Sequence, residues 1–298
     1  MYTEKLKFHL HEHPWLAMIV EIVVGILCLL IVAGIANIAG LPGNGPYRSL
    51  LTPGLVHVLT MFILVPFVLR LPNGKRSFRE YLADIRLTNL KPFFPLLILG
   101  LTCSLLALLA LSTQSLVFRI SRNLPVTASF LRWMLPIRSN LQSCIQTLPG
   151  IFEEVLWRGV MLVMFMRVYS EKKSILITGL GFSLLHLLNL VDGVPLEFVL
   201  RQVIFTAGMG IFYGILVIRS NSLLPAMVFH YLVNLFVGSF TFYIQNYPPE
   251  STQILYLLVT IPITTLLLIG WVKFYSQKWF SKEQAQSRKL EKFAWGER

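Results

Sequence analysis

Hydrophobic and polar positions along this chain fall into long blocks rather than a short alternation. Continuous apolar runs of about 20 residues, the length that crosses a bilayer as a helix, lie at roughly 15–39, 53–70, 92–117, 142–167, 174–190, 198–218, 222–244 and 252–273. They do not alternate with period two, so they predict helices rather than barrel strands. The first run exceeds the 7–15 residues of a signal-peptide core, and reads as a retained span despite Lys5 and Lys7 ahead of it. The expected fold is all-α: a polytopic transmembrane helix bundle of about eight spans, with 1–298 as one membrane-embedded domain.

Two polar stretches modify this picture. Residues 119–138 hold Arg119, Arg122, Arg132 and Arg138 together with Phe130, Leu131, Trp133 and Met134. That mixture predicts an interfacial helix before the fourth span, lying on the headgroups. The segment 274–298 mixes lysines with Trp279, Phe280, Phe293 and Trp295, and predicts a basic cytoplasmic tail along the inner surface. No internal repeat is visible, which counts against transporter folds built from two related halves.

Composition agrees with the pattern. Hydrophobic residues make up 55% and charged residues 13% of the chain, with mean hydropathy +0.67. Soluble domains carry about 25% charged residues, so the soluble globular and disordered classes are excluded. The net charge of +12 comes from short basic segments between spans, with no contiguous basic face that would follow nucleic-acid phosphates. Placing both termini in the cytoplasm puts 19 Lys and Arg on the inner side and six on the outer, as the positive-inside rule requires. A multi-pass protein of the cell membrane is expected. Cys28, Cys103 and Cys144 sit in or beside apolar runs without paired spacing, which excludes a disulfide framework and a thiolate zinc site.

The informative residues are then the ionisable ones that hydrocarbon should reject. A charge at the bilayer centre costs about 2.5–3.5 kcal/mol on insertion scales. Those inside predicted spans are Glu21, His57, Glu153, Glu154, Arg158, His186 and His230, with Asn189 and Asn234 as uncharged companions. Glu21 is assigned no role, His57 near a span end reads as interfacial, and His9, His11 and His13 read as solvated juxtamembrane residues. Glu154 and Arg158 are four apart and share a helix face, about 40° apart around the axis, so they can pair. Glu153 points about 100° away and is left free for chemistry. Phe182 lies one turn from His186 and is placed to fix its ring; His230 and Asn234 share a face in the same way. Glu153, His186 and His230 all fall roughly 10–20 Å from a span end, so they can meet if spans four, five and seven pack together.

The ordered set Glu153-Glu154-x-x-x-Arg158, Phe182-x-x-x-His186 and His230-x-x-x-Asn234 resembles the CPBP intramembrane proteases. That family groups CAAX prenyl endopeptidases with bacteriocin-processing and self-immunity proteins. The resemblance covers about 140–240, which it marks as the catalytic core. It implies catalytic roles for Glu153, His186, His230 and Asn234, with Glu154, Arg158 and Phe182 as structural support.

The chemistry of the residues points the same way. A carboxylate and an imidazole converging in a dry cavity suit water activation, with Glu153 as general base and His186 holding the water. His230 and Asn234 supply donors for the oxyanion of a tetrahedral intermediate. The expected function is an intramembrane endopeptidase acting on a membrane-associated, prenylated or bacteriocin-type substrate in contact with membrane lipid. No cofactor is expected; the alternative is zinc held by Glu153, His186 and His230 with water in the fourth position. Alternatives for the whole chain are a non-proteolytic membrane partner, acting in immunity or on a sensor kinase, and a proton-coupled transporter.

Overall fold

A computed structural model describes residues 13–40, 78–121, 147–190, 193–244 and 250–280, with isolated positions between them. The described residues form helices and no strand. In chain order these are α1 (Pro14–Ile38), α2 (Phe78–Asp84) and α3 (Phe93–Ser121), followed by α4, which runs unbroken through Pro149–Glu154, Val155–Met161 and Leu162–Val168. Then come α5 (Glu171–Leu185) with a 3₁₀ extension (His186–Leu190), α6 (Leu196–Ser220), α7 (Leu224–Ile244) and α8 (Glu250–Trp279).

Each described helix longer than 20 residues falls on an expected apolar run, because hydrocarbon demands that the backbone satisfy itself within the segment. Among the described residues, five helices are long and apolar enough to cross a membrane: α1, α3, α5 with its extension, α6 and α8. The expected second span at 53–70 and the interfacial helix at 119–138 lie largely outside the described residues, as does the tail from 281 onward.

α6 is the centre of the bundle. It packs against α5 on one side and α8 on the other, while α7 packs against α3 and the start of α4. The core formed between them includes Phe212, Leu216, Val217, Phe229 and Leu268. Elsewhere apolar side chains face outward, for example Ile19, Leu30 and Ile35 of α1 and Leu266 and Leu267 of α8. In water such faces would be a liability, but lipid tails solvate them without cost.

Hydroxyl groups within the helices bond to the preceding turn. Thr178 Oγ1 donates to the Ser174 carbonyl at 2.8 Å and Ser220 Oγ to Leu216 at 2.8 Å. α6 stops where Asn221 takes a left-handed conformation at φ 52°, and the Asn221 side-chain oxygen accepts from Arg86 Nε at 2.9 Å. The turn before α3 is thereby tied to the turn between α6 and α7.

Candidate active site

α4 supplies both glutamates. Pro149 begins it at the position where a missing N–H costs nothing. The sequence predicts a regular helix here, whereas Val155–Met161 is π-helical. A π turn widens the helix and recurs at functional sites, and this one carries Arg158.

Arg158 and Glu154 are both fully buried and meet at 3.0 Å through Nη1 and Oε1. The pair expected from spacing is present, and the tertiary structure adds to it. Arg158 Nη2 donates to the Gly210 carbonyl of α6 at 3.1 Å. Its guanidinium also lies over the rings of Phe182, at 4.5 Å, and Tyr213, at 4.9 Å. A buried cation is tolerable only when its donors and its charge are answered in this way.

His230 enters from α7 and is met by both carboxylates. Its Nδ1 is 2.7 Å from Glu154 Oε1, and its Nε2 is 3.7 Å from Glu153 Oε2. Neighbouring residues of one helix thus reach opposite edges of one imidazole. The ring is also stacked on Tyr213, with centroids 4.8 Å apart and planes 18° from parallel. Glu153 differs from Glu154 in access: its side chain keeps 28% of its surface exposed and Glu154 keeps none.

His186 stands at the point where α5 tightens into its 3₁₀ extension. Its Nδ1 is held 3.2 Å from the Phe182 carbonyl. Phe182 meets it edge-on rather than stacked, at 5.1 Å and 88°, and meets His230 the same way at 6.0 Å and 84°. Phe182 therefore does more than fix one ring: it is the shared wall between both histidines and Arg158. Asn189 turns away from this cluster, donating to Gln202 of α6 at 2.8 Å.

Close approach of the helices depends on glycine. A β-carbon on Gly210 would stand 2.8 Å from the Gly179 carbonyl oxygen, so α5 and α6 touch backbone to backbone. Gly214, one turn later, faces Ile175 in the same groove. A β-carbon on Gly150 would stand 2.7 Å from Asn234 Nδ2 and 2.9 Å from His230 Cδ2, which places Asn234 beside the first turn of α4. The motif reading omits Tyr213, Gly210 and Gly150. A signal for the α5–α6 contact exists in the Gly210-x-x-x-Gly214 spacing, a small-residue pattern that marks helix contacts in membranes.

Glu153, His186 and His230 are the set that would hold zinc. Among the described residues, no three His, Cys, Asp or Glu side chains are arranged to hold a metal ion. His230 Nδ1 is engaged by Glu154 and His186 Nδ1 lies at a backbone carbonyl, which leaves Nε2 as the ring nitrogen of each that a metal would take.

The segment that carries all of these motif residues matches a known family. Residues 143–236 match the Rce1-like family, described as type II CAAX prenyl endopeptidase Rce1-like. The match agrees with the resemblance drawn from the three motifs and covers the same third of the chain. No curated protein and no solved structure matches. The Rce1-like match and the long apolar helices support a multi-pass intramembrane protease of the CAAX type in general, working on a membrane-associated peptide in lipid.

Proposed function

We propose that this Rce1-like chain hydrolyses a peptide bond of a prenylated or otherwise lipid-anchored substrate, with Glu153 and His186 activating water. The observation that supports it best is the double contact of His230 with Glu154 at 2.7 Å and Glu153 at 3.7 Å. The shorter distance is a hydrogen bond that orients the ring. The longer one is beyond hydrogen-bond range, so a polar group of the reaction can approach Nε2 and Oε2 together from the side.

In this reading Glu153, the carboxylate with open surface, removes a proton from water as the hydroxyl oxygen attacks the substrate carbonyl. The carbonyl oxygen becomes an oxyanion that accepts from Asn234 Nδ2 and from the Nε2–H of an imidazolium His230. Glu154 stabilises that imidazolium from the Nδ1 side, and Arg158 keeps Glu154 in place. The proton returns to the leaving amine through His186 as the C–N bond breaks. No step passes through a metal.

The test uses the purified chain in detergent with a prenylated CAAX-type peptide. Glu153→Gln is expected to lower kcat/KM about 10²–10⁴-fold, the usual contribution of general-base catalysis, with the unfolding transition unmoved. Cleavage that survives this substitution overturns the mechanism. Cleavage lost on chelation and restored by zinc overturns its metal-free form.

A further inference from the structure

Away from the site, α5, α6 and α8 leave a groove of about 410 Å³ lined by Ile175, Ile211, Ile215 and Ile269, with Lys172 and Lys273 at its rim. Volumes of about 300–1,000 Å³ accommodate small-molecule ligands. The walls are branched aliphatic side chains, and the polar groups lie at one end. Arg219 joins the two lysines there, against the single carboxylate of Glu171. Lys172 and Lys273 are exposed.

This end of the bundle is one membrane face. Glu171 at the start of α5, Arg219 at the end of α6 and Lys273 in the last two turns of α8 line the groove together. Trp279 is exposed beside them, with Lys278 Nζ over its ring at 5.7 Å, as expected of an interfacial anchor. The excess of Lys and Arg makes this the inner face, where anionic lipids concentrate. An apolar channel that opens under a cationic rim at headgroup depth complements a ligand with a hydrocarbon chain and an anionic head.

We propose that this groove binds an anionic phospholipid, its phosphodiester between Lys172, Arg219 and Lys273 and one acyl chain along the four isoleucines. The site is separate from the catalytic cluster, so the proposal stands or falls independently of the proteolytic reading. Arg219 also favours the end of α6 as a cation at a helix C-terminus, which makes the two lysines the better probes.

The experiment is native mass spectrometry of the full chain in a neutral detergent. It is titrated with dioleoyl phosphatidylglycerol, with dioleoyl phosphatidylcholine of the same chains, and with inorganic phosphate at constant ionic strength. Phosphatidylglycerol is expected to bind at least tenfold more tightly than phosphatidylcholine and to resist displacement by phosphate. Lys172→Gln with Lys273→Gln is expected to weaken it about 25-fold, or about fivefold per lysine. Ile215→Trp, which fills the channel, is expected to weaken both lipids. Equal affinity for the two lipids, unchanged affinity in the double variant, or displacement by phosphate overturns the proposal. Should the double variant lose its helical circular dichroism, Lys273→Gln alone, with its fivefold loss, decides.

Discussion

Gly150 and Asn234 approach so closely that a β-carbon on Gly150 would stand 2.7 Å from the Asn234 amide nitrogen. The same β-carbon would press on His230 at 2.9 Å. The first turn of α4 and the middle of α7 therefore meet through a hydrogen atom, and both proposed oxyanion donors are set against it.

Gly150→Ala is expected to lower kcat/KM at least tenfold while costing about 1–3 kcal/mol of stability, the range for an overpacked core. Asn234 can rotate away from a methyl group, but His230 is held by Glu154 and stacked on Tyr213. Peptide cleavage beside a thermal unfolding curve checks this; activity within twofold of the parent would show that the donors are not set by this contact.

The Glu154–Arg158 pair should behave as a buried ion pair. Glu154→Leu or Arg158→Leu alone leaves one buried charge unanswered and is expected to cost about 3–5 kcal/mol. The double replacement Glu154→Leu with Arg158→Leu should cost less than the two single losses together, since neither charge is then stranded. Unfolding of the four proteins in one detergent measures the coupling, and strict additivity would contradict it.

Gly210→Ala tests the seam between α5 and α6. The obstructing atom is the Gly179 carbonyl oxygen, which is backbone and cannot rotate away. The helices must separate, at a cost of about 1–3 kcal/mol, and the carbonyl that receives Arg158 moves with them. The expected outcome is a lower unfolding temperature together with reduced cleavage. Gly270→Ala on α8, where a β-carbon meets nothing within 4 Å, should change neither.

Much of the fold is legible before any coordinates. The run at 198–218 becomes Leu196–Ser220 and the run at 15–39 becomes Pro14–Ile38. Apolar length is a one-dimensional property, and the bilayer imposes it directly. Departures come where helices deform locally. The π turn at Val155–Met161 and the 3₁₀ turn at His186–Leu190 both interrupt spans that read as regular helix. Neither has a signal in hydropathy, which reports apolar length and not hydrogen-bond register.

The candidate site divides in the same way. Glu154 and Arg158 are four apart on one helix, so their pairing follows from helix geometry. The bond from Glu154 to His230 spans 76 positions and the bond from Arg158 to Gly210 spans 52. Spacing within a helix says nothing about which faces of different helices meet. Tyr213 illustrates this: in sequence it is one aromatic among many, and in the bundle its ring supports His230 and Arg158 together.

By itself the sequence determined the membrane class, the helical build and the short set of polar residues that hydrocarbon would otherwise expel. Those follow from solvent chemistry acting on each segment in turn. Only the tertiary structure decided that both glutamates converge on His230, that Phe182 is shared by two histidines, and that a cationic groove opens between α5, α6 and α8. These depend on helix faces brought together by Gly179 and Gly210, where the absence of a side chain lets two backbones touch.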